Sequence, residues 1–484
     1  MVIPFRDTGN ATTEIMKLKY PIIGHLFFLF SFILSVLYYK ERIIHIDSAH
    51  YMFSMIQSES FYIGGRFGDI FSQILPWLAI KAGLPLRIIL ISYSVSFILI
   101  FYLIYLFCIY GLKNISAGMS VVLVLCLCTS GTFYYAVTEV HQGLVFSVFF
   151  FALISYSDIG NIRRNMLVRT LAVFTVVICY YLHPTTFFML LFSVIFLMID
   201  LRIFTNKFYL SMIILVIFLF LLRLFITPEN APEGREYSAI RNFSEYLSRF
   251  WHLGPLGFLR VNSGQNTFVY VIAEIVLSTV VIFYIFTKQF LKLTFVLLTI
   301  GFFITVNTFV YAEGNSGLVL EKSFLPLSFF IAIPFTHDVL FRIKFNQNIV
   351  FIFLLTIIIF RTRDISRSSR GYRNRIHYMS ELCREMRETG GKKFFIKREN
   401  LNLDKISITW ALPTETMLLS SIPSPDSCIT IYGYENGYIP LALATNQVYI
   451  SGFTAPLEES SKLNSTYFHI ASGIGYQVID REVR

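Results

Sequence analysis

Charge is what this sequence lacks most. Asp, Glu, Lys and Arg make up 14% of its 484 residues, against roughly 25% in an ordinary soluble domain. With 55% hydrophobic residues and 51 Phe, too little polar surface remains to cover a water-soluble globule of this size. Mean hydropathy is +0.64. The long apolar blocks also lack apolar–polar alternation, which excludes half-buried strands and the dyad pattern of a membrane β-barrel. No Gly-rich phosphate loop is present, so no nucleotide site is expected. The six Cys show no metal-binding spacing. Cys108, Cys126, Cys128 and Cys179 fall inside apolar blocks and read as small hydrophobes. Only Cys383 and Cys428 lie in the polar tail, where a disulfide between them is chemically open. No small-residue cleavage site follows the first apolar block, which therefore reads as a retained anchor.

What is there is a series of apolar blocks, such as 27–39, 88–108 and 351–360. Blocks near 20 residues match the hydrocarbon thickness of a bilayer, and only helices satisfy their own backbone there. The pattern predicts an α-helical polytopic membrane protein of about eleven transmembrane helices. The predicted spans are 21–39, 87–110, 116–134, 142–158, 167–182, 184–200, 208–226, 267–287, 292–312, 323–340 and 347–361. With a cytoplasmic N-terminus, every short loop on the inner side is basic. Those loops hold Lys113, then Arg163, Arg164 and Arg169, then Arg202 and Lys207, then Lys288 and Lys292, and last Arg342 and Lys344. That is the positive-inside pattern, and it places the C-terminus outside. The net charge of +10 is accounted for mostly by these loops, so no nucleic acid partner is expected.

Two outer loops are long, 40–86 and 227–266, and the first contains an apolar stretch suited to an interfacial helix at 70–80. After Arg361 the composition changes. A basic, Ser-containing connector is expected at 363–375, a helix at 378–388, and β-rich runs at 394–396, 406–410, 428–432 and 448–450. Residues 363–484 then form a small soluble α/β domain outside the cytoplasm, following a transmembrane domain of residues 1–362.

Ionisable groups at outer helix ends are the candidates for chemistry, because charge near lipid is costly. Asp47 and Tyr51 stand four residues apart and share a helix face. A carboxylate there can take a proton from a hydroxyl or hold a divalent cation; equally, it can be a solvated loop acid. Asp69 is a second carboxylate in the same loop. Glu139 and His141 open a helix on that side, where capping is the simpler role. His183 is exposed at a turn by Pro184. Arg66, Arg223 and Lys322 are outer cations that could bind phosphate or merely snorkel. Glu274 lies deeper in its helix, as a packing or a pathway residue.

Together these features resemble the GT-C superfamily of polytopic glycosyltransferases that use polyprenyl-phosphate-linked sugars. The carrying residues are Asp47 with Tyr51 after the first helix, Tyr135 and Glu139 at the end of a later one, and Lys322-Ser323-Phe324-Leu325-Pro326-Leu327. The length and loop plan are also similar to phage-type O-antigen glucosyltransferases. The pattern departs from many members in lacking a paired Asp-Glu in the first loop and a Trp-Trp-Asp-Tyr-Gly segment in the tail. The resemblance implies a GT-C-like domain in 1–362 with catalytic Asp47, Asp69 and Glu139. It implies substrate binding by Tyr51, Arg66, His141, His183, Arg223 and Lys322. It implies a polyprenyl-phosphate-sugar donor, a glycan or glycolipid acceptor, and no cofactor or required metal. Alternatives are a polysaccharide polymerase or ligase, a lipid or solute transporter, and a non-catalytic scaffold.

Overall fold

The computed structural model describes residues 11–63, 67–136, 139–156, 162–227, 243–264, 268–314, 316–340, 347–406, 408–435, 446–452, 456–471 and 473–481. Helix α1 (Ala11–Leu37) is followed by three shorter helices, α2 (Tyr39–Ile43), α3 (Ile46–Ser58) and α4 (Ile70–Lys81). The bundle continues with α5 (Leu86–Leu106), α6 (Ile115–Cys126), α7 (Glu139–Ser155), α8 (Ile162–Tyr180), α9 (Thr185–Leu201) and α10 (Lys207–Ile226). Then come α11 (Phe243–Ser248), α12 (Gly254–Gly264), α13 (Phe268–Phe286), α14 (Phe290–Val310), α15 (Gly317–Phe324) and α16 (Pro326–Pro334). A long α17 (Gln347–Glu388) and α18 (Leu412–Ser421) complete the set.

Among the described residues, six helical stretches are long and apolar enough to cross a membrane. They are Lys19–Leu37, Leu86–Gly111, Lys207–Ile226, Val269–Phe286, Phe290–Val310 and Gly317–Val339. Each coincides with an expected span. Four further expected spans fall on shorter apolar helices, Ile115–Cys126, Glu139–Ser155, Asn165–Tyr180 and Thr185–Leu201. The eleventh forms the start of α17. The predicted helix at 70–80 is α4, which packs against α5.

The clearest departure from a plain bundle is at 127–136. The apolar pattern predicts helix to 134, but α6 stops at Cys126 and a single 3-10 turn follows at Gly131–Phe133. Irregular backbone inside a membrane bundle needs internal partners. Here two charges supply them, one fully buried and one half-buried. Arg361, fully buried, donates to the carbonyls of Cys126 (2.8 Å) and Thr129. Glu321 accepts from the amides of Ser130 (2.6 Å), Gly131 (3.1 Å) and Thr132 (3.0 Å).

The connector expected at 363–375 is instead the middle of α17, which runs 42 residues without a break, about 63 Å at 1.5 Å per residue. The boundary expected at 362/363 falls inside this helix. No Pro interrupts it, and Ile365, Ile376, Met379, Leu382 and Met386 are buried along its length. Beyond it, β1 (Lys393–Lys397) lies between β2 (Thr430–Tyr434) and β5 (Gln477–Ile479) in a parallel sheet. A separate hairpin pairs β3 (Val448–Ile450) with β4 (Leu457–Glu459). Among the described residues of 406–410 no strand is present, and Trp410 already sits in the turn leading into α18. Cys383 and Cys428 are free and buried, each thiol pushed up to about 12 by burial.

This C-terminal region is not a detached module. Its apolar residues share one core with α3, α4 and α5, as in the contact of Phe53 with Phe468 (5.2 Å between rings). Arg375 donates to Ile44 O (2.9 Å) and pairs with buried Glu415 (2.5 Å), which in turn accepts from the Ile46 amide (2.6 Å). The start of the Asp47 helix is thus held by the tail.

Candidate functional site

Three of the expected residues, Asp47, Glu139 and Lys322, meet around Tyr135. Because α6 ends early, the chain from Leu127 to Ala136 lies across the top of the bundle and brings Tyr135 against α3. The Tyr135 hydroxyl donates to the Asp47 carboxylate. Lys322 Nζ stands over the Tyr135 ring at 5.7 Å and pairs with Glu139 at 3.2 Å. Glu139 is almost fully buried, whereas the Lys322 side chain is 21% exposed. Burial, followed by the Asp47 charge, raises the Tyr135 hydroxyl pKa well above its ordinary value, so it stays protonated and remains a donor. The order along the array is carboxylate, phenol, ammonium, carboxylate.

Asp69 joins the same face one helical turn along α7. It ends a 3-10 turn at Phe67–Asp69 and accepts from Gln142 Nε2 at 3.2 Å, while Gln142 also reaches Ser72 Oγ at 3.3 Å. Asp69, Tyr51, Glu139 and Asp47 all lie within electrostatic reach of the buried Tyr93 hydroxyl on α5. Tyr51 stacks on Tyr62 with ring centres 4.6 Å apart. His141 is buried one turn into α7, 3.3 Å from Thr129 Oγ1. The expected i, i+4 relation of Asp47 and Tyr51 on one helix is present in α3.

His183 and Arg223 belong to a neighbouring structural unit. Arg223 donates to the carbonyls of Tyr180 and of Leu182 (3.0 Å), closing the C-terminal end of α8. A cation there complements the helix dipole. His183, expected to be exposed at its turn, is instead buried, and its Nδ1 lies 2.9 Å from Thr185 Oγ1 at the start of α9. The link to the carboxylate array is steric: a Cβ on Gly68 would lie 2.3 Å from Leu182 Cδ2, so Gly68 lets the Asp69 turn rest on this corner. Arg66 lies outside the described residues. Glu274 is exposed on α13.

Sequence reasoning missed the residues that build the site. Glu321 lies just before the expected span at 323–340, Arg361 ends the span at 347–361 and Arg375 falls in the basic connector, yet each is spent on backbone or on a buried acid near the array. His45 was passed over beside Asp47. It is buried between Tyr135 (5.3 Å) and Tyr372 (5.2 Å), and burial, with Arg375 close by, depresses its pKa well below 6.5. A signal existed for Glu321 and Lys322, an adjacent acid and base just before an apolar block.

No protein-family model, no curated protein and no solved structure matches this chain. The functional reading therefore rests on the chemistry of its own residues.

A second ionisable cluster lies at the opposite end of the bundle. Lys292 pairs with Asp200 and with Asp338 (2.8 Å), His337 lies 3.0 Å from Asp200, and Tyr284 donates to Asp338 at 2.7 Å. Asp200, His337 and Asp338 have ligand atoms close enough for one metal ion. Lys292 sits between half-buried Asp200 and buried Asp338 and pairs with both, so an ion-pair network already accounts for this donor set.

Proposed function

We propose that this chain is an integral membrane glycosyltransferase. It transfers a sugar from a polyprenyl-phosphate-linked donor to a glycan or lipid-linked glycan on the extracytoplasmic face of the inner membrane. The observation that carries the proposal is the Asp47–Tyr135–Lys322–Glu139 array, a carboxylate base and a cation set side by side at one end of the bundle. Asp47 takes the proton of the acceptor hydroxyl as that oxygen attacks the anomeric carbon. The bond from that carbon to the phosphate oxygen breaks, and its electron pair leaves on the polyprenyl phosphate. Lys322 faces the departing charge, with Glu139 fixing its position. Asp69, held by Gln142, is the second carboxylate of the site, and Tyr51, Arg66 and His141 border the substrates. Residues 363–484 sit outside the cytoplasm and shape the acceptor side by gripping α3.

Incubating the purified protein with a polyprenyl-phosphate sugar and a glycan acceptor tests this. Release of polyprenyl phosphate together with a lengthened acceptor is the expected result. Intact donor under all acceptors tried would overturn it.

The Lys292 cluster favours a second reading, transport of a lipid or solute, because a buried ion pair within a helix bundle can mark a pathway. Substrate accumulation in proteoliposomes without donor cleavage would select it.

A further inference from the structure

Helix α17 carries two classes of arginine. Arg361 and Arg375 are buried and committed to carbonyls and to Glu415. Arg367, Arg370 and Arg373 are exposed and follow one another at three-residue intervals, along one face of the helix. With Tyr38 and Ser366 they line a cavity of about 460 Å³. No carboxylate is among the lining side chains, although Glu41 on α2 lies within electrostatic reach of Arg373. Three guanidinium groups around one cavity repel each other unless an anion joins them, and their planar forks match phosphate oxygens.

Depth along the helix says where that anion lies. Arg367 is twenty residues beyond Gln347, about 30 Å at 1.5 Å per residue, which equals the hydrocarbon thickness of a bilayer. The cavity therefore opens at the level where lipid phosphates sit. Tyr38, just past the last turn of α1, forms its other wall and takes Arg373 against its ring at 5.9 Å.

The pocket is separate from the carboxylate array. Ring contacts run from Tyr38 to Tyr134 (5.6 Å), to Tyr372 (5.2 Å), to His45 (5.2 Å) and to Tyr135 (5.3 Å) before Asp47 is reached. A phosphate in the pocket is thus walled off from the Asp47 carboxylate by packed aromatic side chains.

We infer that Tyr38, Ser366, Arg367, Arg370 and Arg373 form a binding pocket for the phosphate ester of a membrane-anchored molecule, distinct from whatever reacts at Asp47. Two sources share this chemistry, an anionic phospholipid and a lipid-diphosphate-linked glycan. The inference does not depend on sugar transfer.

Full-length protein in neutral detergent is titrated separately with phosphatidylglycerol, a polyprenyl diphosphate and inorganic pyrophosphate, and binding is followed by native mass spectrometry. At least one of the two lipids should bind, and R367Q/R370Q/R373Q should weaken it roughly 10- to 100-fold. A charge-matched R384Q/R387Q/R481Q variant, altered at exposed arginines elsewhere, should bind within about twofold of the parent. Preference for phosphatidylglycerol assigns the pocket to bulk lipid; preference for the polyprenyl diphosphate assigns it to a lipid-linked glycan. If the triple variant fails to fold, R370Q alone should weaken binding by about threefold or more. Equal losses in the two triple variants, or binding of pyrophosphate alone, would overturn the inference.

Discussion

The Tyr135 hydroxyl donates its hydrogen bond to the Asp47 carboxylate, joining a residue of the irregular chain after α6 to the first turn of α3. That bond exists only because α6 ends at Cys126. A helix continued through residue 134 would carry Tyr135 along the helix axis rather than across it. The site therefore depends on the two charges that make the early stop tolerable, Arg361 and Glu321.

Arg361→Met tests that dependence. It keeps apolar length but leaves the Cys126 and Thr129 carbonyls without their donor, a loss of roughly 3 kcal/mol. Arg363→Met, two residues on and exposed, should cost about 0.5 kcal/mol or less. Thermal unfolding in one detergent compares them. Equal midpoints would mean the break in α6 is held by something else.

The Glu139–Lys322 pair calls for a double-mutant cycle. Glu139→Gln or Lys322→Met alone removes one partner of a largely buried ion pair and should destabilise by about 3 kcal/mol. The double variant should recover part of that loss, since no unpaired charge remains. Strictly additive losses would show that the two side chains do not act on each other.

His45 gives a pH dependence. Its folded-state pKa is depressed below 6.5 by burial and by Arg375, so the unfolded chain binds the extra proton first as pH falls. Stability should be unaffected above pH 6.5 and should fall on acidification below it. Substitution of His45→Phe should lessen this dependence, the remainder coming from groups such as His50, whose pKa burial also depresses. A wild-type unfolding midpoint that is level from pH 7 to pH 5 would refute the assignment.

Much of this was legible in the sequence. The apolar blocks are set by membrane thickness, a constraint that acts locally, and six of them appear as full-length apolar helices. Asp47, Glu139 and Lys322 were legible because each stands where an apolar block ends. The break after Cys126 was not. Hydropathy continues through Leu127, Cys128 and Phe133, and the group that ends the helix is Arg361, 235 positions away. The continuity of α17 was hidden for a related reason. Its Arg- and Ser-rich middle looks solvated, but Ile365, Tyr372 and Ile376 keep a packed face through it. Lipid-facing and solvent-facing lengths of one helix simply differ in composition.

Sidedness has its own test. A reporter active only outside the cytoplasm should be active when fused after Arg484 and silent when fused after Arg164. Identical behaviour at both points would contradict the alternation drawn from the basic loops.

The most direct measurement for the proposed activity is sugar transfer by Asp47→Asn protein, with Asp69→Asn assayed beside it. Asn keeps the shape and one acceptor oxygen, so Tyr135 retains its partner, but it neither takes a proton nor carries charge. Loss of a general base should slow transfer by about 10²–10⁴-fold with folding unchanged. Loss in Asp69→Asn alone would move the base to Asp69. Full activity in both variants would contradict a carboxylate mechanism at this site.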